Sequence, residues 1–117
     1  MDAPKINTAI PKRRYQLGEY GAVVLGEIES GDGVAYEFVM ALVQEGQAQP
    51  SLYITSERNA PGQTGEGSHR MRMFAAQGTR VLGSADELRQ LDQFCELALS
   101  MAAQMLQLAD EVPVRLS

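Results

Sequence analysis

A long segment without glycine or proline, residues 84–112, most constrains what this chain can fold into. Ser84 precedes Glu87 by three residues, which is the spacing of a capping box, where each side chain satisfies a backbone amide at the start of a helix. Good helix formers dominate the residues that follow, and Pro113 comes directly after the segment. The sequence therefore predicts one long C-terminal helix over residues 84–112.

This helix carries two neighbouring apolar stripes when successive residues are placed 100° apart. It would be about 40 Å long at 1.5 Å per residue, whereas a four-stranded sheet is only roughly 15–20 Å across. Both stripes can rest on one sheet and its loops, but an overhanging stripe would expose an apolar patch, which favours a homodimer. The stripe predicted to face the sheet comprises Leu88, Leu91, Cys95, Ala98 and Ala102, and the predicted dimer interface comprises Phe94, Leu97, Met101, Met105 and Leu108.

Four strand-like segments precede the helix and are recognised by alternating side-chain character. The last is interrupted at Gly78, which predicts a bulge or a bend. The predicted fold class is α+β, a four-stranded antiparallel meander followed by one long C-terminal helix packed on one face. The strands are predicted within residues 15–29, 34–44, 51–58 and 69–82; residues 1–14 are predicted to be a flexible arm, 15–112 a single domain and 113–117 a C-terminal tail.

Composition narrows the classes of function. The 117 residues suit one compact domain, and the net charge of -5 argues against indiscriminate binding to nucleic acid or to an anionic membrane. No apolar run approaches the length of a membrane span, so no membrane association is expected. The first residues lack the hydrophobic region of a signal peptide, so a cytoplasmic location is expected.

The sequence contains none of the common catalytic or phosphate-binding motifs. Cys95 and His69 are single residues of their types and cannot supply a structural zinc site, so neither a metal nor a cofactor is expected. Cys95 is predicted to be a buried thiol, and His69 a solvated imidazole rather than a catalytic base. We therefore predict a protein that is not an enzyme. The glycine-rich segment 59–68 is predicted to be a hairpin loop, with a flexible contact role as the alternative.

The outward face of the predicted sheet carries the most suggestive group of residues, in which arginines alternate with aromatic rings. Single-stranded nucleic acids need such a surface, because bases stack on rings while guanidinium groups hold phosphates. Against this hypothesis, Glu27, Glu29, Glu37 and Glu57 are expected on or near the same face, as on an ordinary solvated sheet. The candidate nucleic-acid-binding residues are Lys12, Arg13, Arg14, Tyr53, Arg58, Arg70, Arg72, Phe74 and Arg80.

The predicted order of four strands and a long dimerising helix, over residues 15–112, resembles the fold of positive-cofactor-four-type coactivators, Whirly proteins and Pur-type repeats. The resemblance implies single-stranded DNA or RNA binding, or transcription regulation, by a homodimer. The alternative is a protein-binding adaptor or chaperone, since Met71, Met73, Met101 and Met105 would suit an adaptable apolar interface. The partner is expected to be single-stranded nucleic acid or a further protein.

Overall fold

The computed structural model describes residues 3–59 and 67–117, and these form an α+β structure around one antiparallel sheet. The sheet has seven strands in the order β6-β5-β4-β3-β2-β1-β7. A 3₁₀ helix, Asp86–Arg89, leads into the helix α1, Leu91–Met105. The strands are β1 (Ile6–Leu17), β2 (Tyr20–Ser30), β3 (Tyr36–Gln44), β4 (Leu52–Arg58), β5 (His69–Ala75), β6 (Gly78–Ala85) and β7 (Val114–Arg115).

The prediction of a four-stranded sheet is wrong, because tight turns divide two of the predicted strands and the arm is itself a strand. Leu17 pairs with Tyr20 across a turn in which Gly18 has φ +57°, so the first predicted strand spans the end of β1 and nearly all of β2. Gly78 pairs with Ala75 and begins β6, so it follows a hairpin turn rather than a bulge. From Ile6, the predicted arm runs beside β2, and the predicted tail contributes β7.

The predicted helix over residues 84–112 is also wrong, since α1 has only 15 residues and starts later. Ser84 pairs with Arg70 in the sheet, so the ladder between β5 and β6 overrides the local capping signal. Asp86 accepts a hydrogen bond from the amide of Ser68 instead of capping α1. At about 22 Å, α1 does not support the argument that an overhanging helix must meet a partner.

The end of α1 lies well before Pro113 and is set by a Schellman motif. Gln107 has φ +59°, and its amide donates to the carbonyl of Gln104. The amide of Leu108 donates to the carbonyl of Ala103 at 2.7 Å. These two bonds satisfy carbonyls that the end of a helix leaves free, so the chain turns away at this point.

The core lies between α1 and one face of the sheet. Phe38, Met40 and Leu42 of β3 face this core, as their alternation predicts. Tyr36 does not, because a bulge between Tyr36 and Phe38 moves it to the opposite face, beside Glu57. Cys95 is buried in the core as predicted, and burial raises the pKa of its thiol. Among the described residues, no helix is both long and apolar enough to cross a membrane.

Candidate functional site

The sheet face that points away from α1 carries the candidate site, and we call it the outer face. Side chains alternate along each strand, so the residues between the core positions of β2 to β6 lie here. Within the described residues, no helix covers this face. Its members are Val23, Leu25, Tyr36, Val39, Ala41, Val43, Tyr53, Thr55, Glu57, Arg70, Arg72, Phe74, Thr79 and Val81.

At one end of the outer face, a fully buried carboxylate holds two arginines. Glu57 lies directly opposite Arg70, and Thr55 lies opposite Arg72. One oxygen of Glu57, Oε1, accepts from Arg70 at 3.0 Å. The other oxygen, Oε2, accepts from Nε of Arg72 and from the hydroxyl of Thr55, each at 2.6 Å. Charge-assisted bonds on both oxygens offset the cost of removing Glu57 from water.

Aromatic rings lie next to these arginines. The guanidinium of Arg72 stands 4.8 Å from the ring centroid of Phe74, which is a cation–π contact. Phe74 is buried beneath it, whereas Tyr53, directly opposite Phe74 on β4, is half-buried. The structure thus brings together four of the predicted nucleic-acid-binding residues, which we call the outer cluster: Tyr53, Arg70, Arg72 and Phe74.

The carboxylates expected to oppose an anionic ligand are placed elsewhere, with the exception of Glu57. Glu37 occupies the bulge in β3 and turns to the other face, where Oε1 contacts Nε of Arg58 at 3.3 Å and Nε2 of His69 at 3.1 Å. Glu27 and Glu29 lie on β2, three strands from β5, and contact side chains of β1. The outer cluster therefore faces less negative charge than the sequence suggests.

The structure separates the other predicted cations from the outer cluster. Arg13 contacts Asp92 on α1, and Lys12 forms an ion pair with Glu27. Arg58 and Arg80 lie on the side of the sheet that α1 covers. Arg14 does belong to the outer face, where it pairs with Val23 in the row that continues through Ala41 to Tyr53 and Phe74. Three strand spacings of about 4.8 Å place it roughly 14 Å from Tyr53.

The residues predicted to form the dimer interface also lie in different places, one in the core and the others nearer the surface. Phe94 is completely buried and stacks on Phe38 with 5.5 Å between ring centroids, so it belongs to the core instead of an interface. Leu97 is 38 % exposed, and Met101, Met105 and Leu108 are half-buried against the core. Two neighbouring openings of about 160 and 290 Å³ lie between α1 and β6 and share Leu82 and Met101; Leu97 lines the smaller and Met105 the larger.

One further group of polar residues surrounds His69. The prediction of a solvated imidazole is wrong, because His69 is buried. Its Nδ1 lies 2.7 Å from the hydroxyl of Ser68, and its Nε2 lies 3.1 Å from Glu37. Serine hydrolases also join a serine, a histidine and a carboxylate, but there the serine contacts Nε2 and the carboxylate contacts Nδ1, so the two ring nitrogens are exchanged here. Moreover, the amide of Ser68 donates to the carboxylate of Asp86 at 2.7 Å. A carboxylate at that point opposes an oxyanion, so this chain of bonds fixes the start of β5.

Sequence patterns missed the burial of Thr55 and Glu57, because alternation assigns a residue to a face but does not reveal what covers it. The pairing of Glu57 with Arg70 is the signal that would have identified them, and it requires the strand register.

Residues 60–66 of the predicted glycine-rich loop lie outside the described residues. No protein-family model, curated protein or solved structure matches this chain.

Proposed function

We propose that this chain is a non-enzymatic binding module that holds single-stranded nucleic acid on its outer face. The outer cluster is the observation that carries the proposal. Tyr53 offers a partly exposed ring, and Arg72 covers Phe74 with a planar guanidinium on which a base can stack. Arg70 and Arg72 keep N–H donors beyond those that bind Glu57, and these donors suit phosphate oxygens.

The distribution of charge supports the same ligand despite the acidic total. Around the outer cluster, Arg70 and Arg72 stand against the one carboxylate of β4 and β5, Glu57, which is buried beneath both of them. The carboxylates of Asp86, Glu87, Asp92 and Glu96 belong instead to the helical region across the sheet. A ligand with phosphates is therefore attracted to the outer face over the opposite one, although the small number of cations predicts modest affinity.

Fluorescence anisotropy with a labelled single-stranded oligonucleotide at two salt concentrations tests the proposal. Arg72→Gln removes a cation from the outer face and should weaken binding by about 1 kcal/mol, with a smaller dependence on salt. Arg80→Gln is the matched control, because it removes the same charge from the other side of the sheet. It should leave both quantities nearly unchanged.

Two results would contradict the proposal. If the wild-type protein bound no oligonucleotide at low salt, the proposed nucleic-acid binding would be wrong. Equal losses for Arg72→Gln and Arg80→Gln would show that net charge, rather than the outer cluster, governs the interaction. Thermal denaturation of both variants establishes that each remains folded before affinities are compared.

A second candidate function is protein binding, and the apolar part of the outer face favours it. Val23, Leu25 and Val43 are half-exposed there, and Val81 is 61 % exposed. Isolated exposed apolar residues are common, but several on one open face are typical of a partner surface. Binding of this kind would respond to Val81→Asp and little to salt, which separates it from nucleic-acid binding.

A further inference from the structure

Glu57 is an unexpected residue for a surface that binds anions, since its charge opposes a phosphate. It is 0 % exposed, and both of its oxygens are occupied by Arg70, Arg72 and Thr55. A carboxylate that served only to balance surface charge would be expected in water, where an ion pair has little energetic cost. Its complete burial points to a role in geometry.

The contacts of Glu57 determine how each guanidinium is oriented. Nε of Arg72 binds Oε2 at 2.6 Å, which holds the guanidinium at the position where it lies 4.8 Å from the centroid of Phe74. Nε and Nη2 of Arg70 both lie 3.0 Å from Oε1. Thr55 in turn fixes Oε2 from below with its hydroxyl. The arginines are therefore anchored by Nε, while Nη donors remain for a ligand.

We infer that Glu57 is the positioning residue of the single-strand site, and that it holds Arg72 over the ring of Phe74 as a stacking surface for a base. The inference rests on the proposed function and specifies its ligand: a strand that is recognised by its bases as well as its phosphates. Arg70 and Arg72 are two residues apart on β5, so the phosphate contacts and the stacking surface lie in line along that strand.

Glu57→Gln separates positioning from charge, because the two roles predict opposite changes. Loss of a negative charge alone strengthens the binding of every polyanion. Loss of the anchor frees Arg72 from Phe74 and weakens only the ligands whose bases stack on it. Single-stranded oligothymidylate and a base-free deoxyribose-phosphate strand of equal length are the two probes. We expect Glu57→Gln to weaken oligothymidylate binding roughly threefold while the base-free strand binds equally or more tightly.

Glu37→Gln is the matched control, since it removes one carboxylate that also pairs with an arginine but lies across the sheet. It should not change the preference for bases. Thr55→Val tests the same anchor without a change in charge and should also reduce the preference; it decides the matter if Glu57→Gln does not fold. In either folded variant, a preference equal to that of wild type would overturn the positioning role.

The possible failures are distinguishable. If both probes bind more tightly to Glu57→Gln, the nucleic-acid site stands and the positioning role is wrong. If wild-type protein binds neither probe, the proposed function fails and the positioning role fails with it. If wild-type protein binds both probes equally, phosphates alone are recognised, which removes the stacking surface but not the ligand class.

Discussion

Asp32 joins three parts of the chain at the turn between β2 and β3. Its carboxylate accepts hydrogen bonds from the amide of Lys5 at 3.2 Å, from the amide of Val34 at 3.1 Å and from the hydroxyl of Tyr36 at 2.7 Å. Desolvation alone would raise the pKa of Asp32, but these hydrogen bonds outweigh it and hold the pKa below its usual value. The ionised form therefore stabilises the folded state.

The pH dependence of stability should reveal this contribution. A lowered folded-state pKa stabilises the protein above the unfolded pKa, and the effect disappears as pH falls through the folded value. Asp32→Ala should reduce the free energy of unfolding by about 1 kcal/mol at pH 7 and by much less near pH 3. Urea denaturation at both pH values measures the difference. Asp110→Ala is the control, because it also removes an exposed carboxylate. If Asp32→Ala lowered the free energy of unfolding equally at both pH values, the stabilising role of the ionised Asp32 would be contradicted.

The positions of single residues show which parts of the outer face could be predicted from the sequence. The pattern placed Tyr53, Arg70, Arg72 and Phe74 on one face, and the register confirms that they are neighbours. It also placed Glu37 near them, and the bulge in β3 moves it across the sheet. A bulge reverses the alternation of side chains and has no reliable signature in one sequence, so each face could be predicted only between bulges.

At the scale of elements, a strained residue follows the end of α1. Gln107 adopts the left-handed conformation that glycine favours at the end of a helix. Gln107→Gly should therefore raise the free energy of unfolding by about 0.5–1 kcal/mol, because it relieves the strain that a β-carbon causes there. Gln104→Gly, in the last turn of α1, should instead lower it by about 0.5–1 kcal/mol. Thermal unfolding of both variants checks the pair, and destabilisation by Gln107→Gly would show that its side chain matters more than its backbone.

Elements were predictable where local pattern and tertiary pairing agree. The strands predicted over 34–44 and 51–58 correspond to β3 and β4, which are central in the sheet and buried. The predicted helix began at Ser84 because the capping signal is local, whereas the pairing of Ser84 with Arg70 depends on β5. β1 was missed because the charged and proline-containing start of the chain lies near the edge of the sheet, where alternation is weak.

At the scale of the whole molecule, α1 covers only part of a wide sheet. The openings between α1 and β6 are lined by apolar residues that include Met71, Met73, Leu82, Leu97 and Met101, with Arg80, Gln104 and Gln107 beside the larger one, and β6 is one of the two edge strands. An outer strand presents backbone donors and acceptors beside this apolar surface. We propose that a second copy of the chain covers both, with the two β6 strands adjacent across a two-fold axis.

The size of the assembly in solution tests this arrangement. Light scattering at micromolar concentration should show a homodimer, and Leu97→Glu should weaken it roughly tenfold or more, since a two-fold axis places the new charge in the interface twice. Leu116→Glu is the control: Leu116 is 59 % exposed but lies beside β7, at the opposite edge of the sheet. If the wild-type protein were a monomer at this concentration, the proposed homodimer would be wrong. If both substitutions weakened the dimer equally, the contact would lie away from α1 and β6, because Leu97 borders the opening there and Leu116 does not.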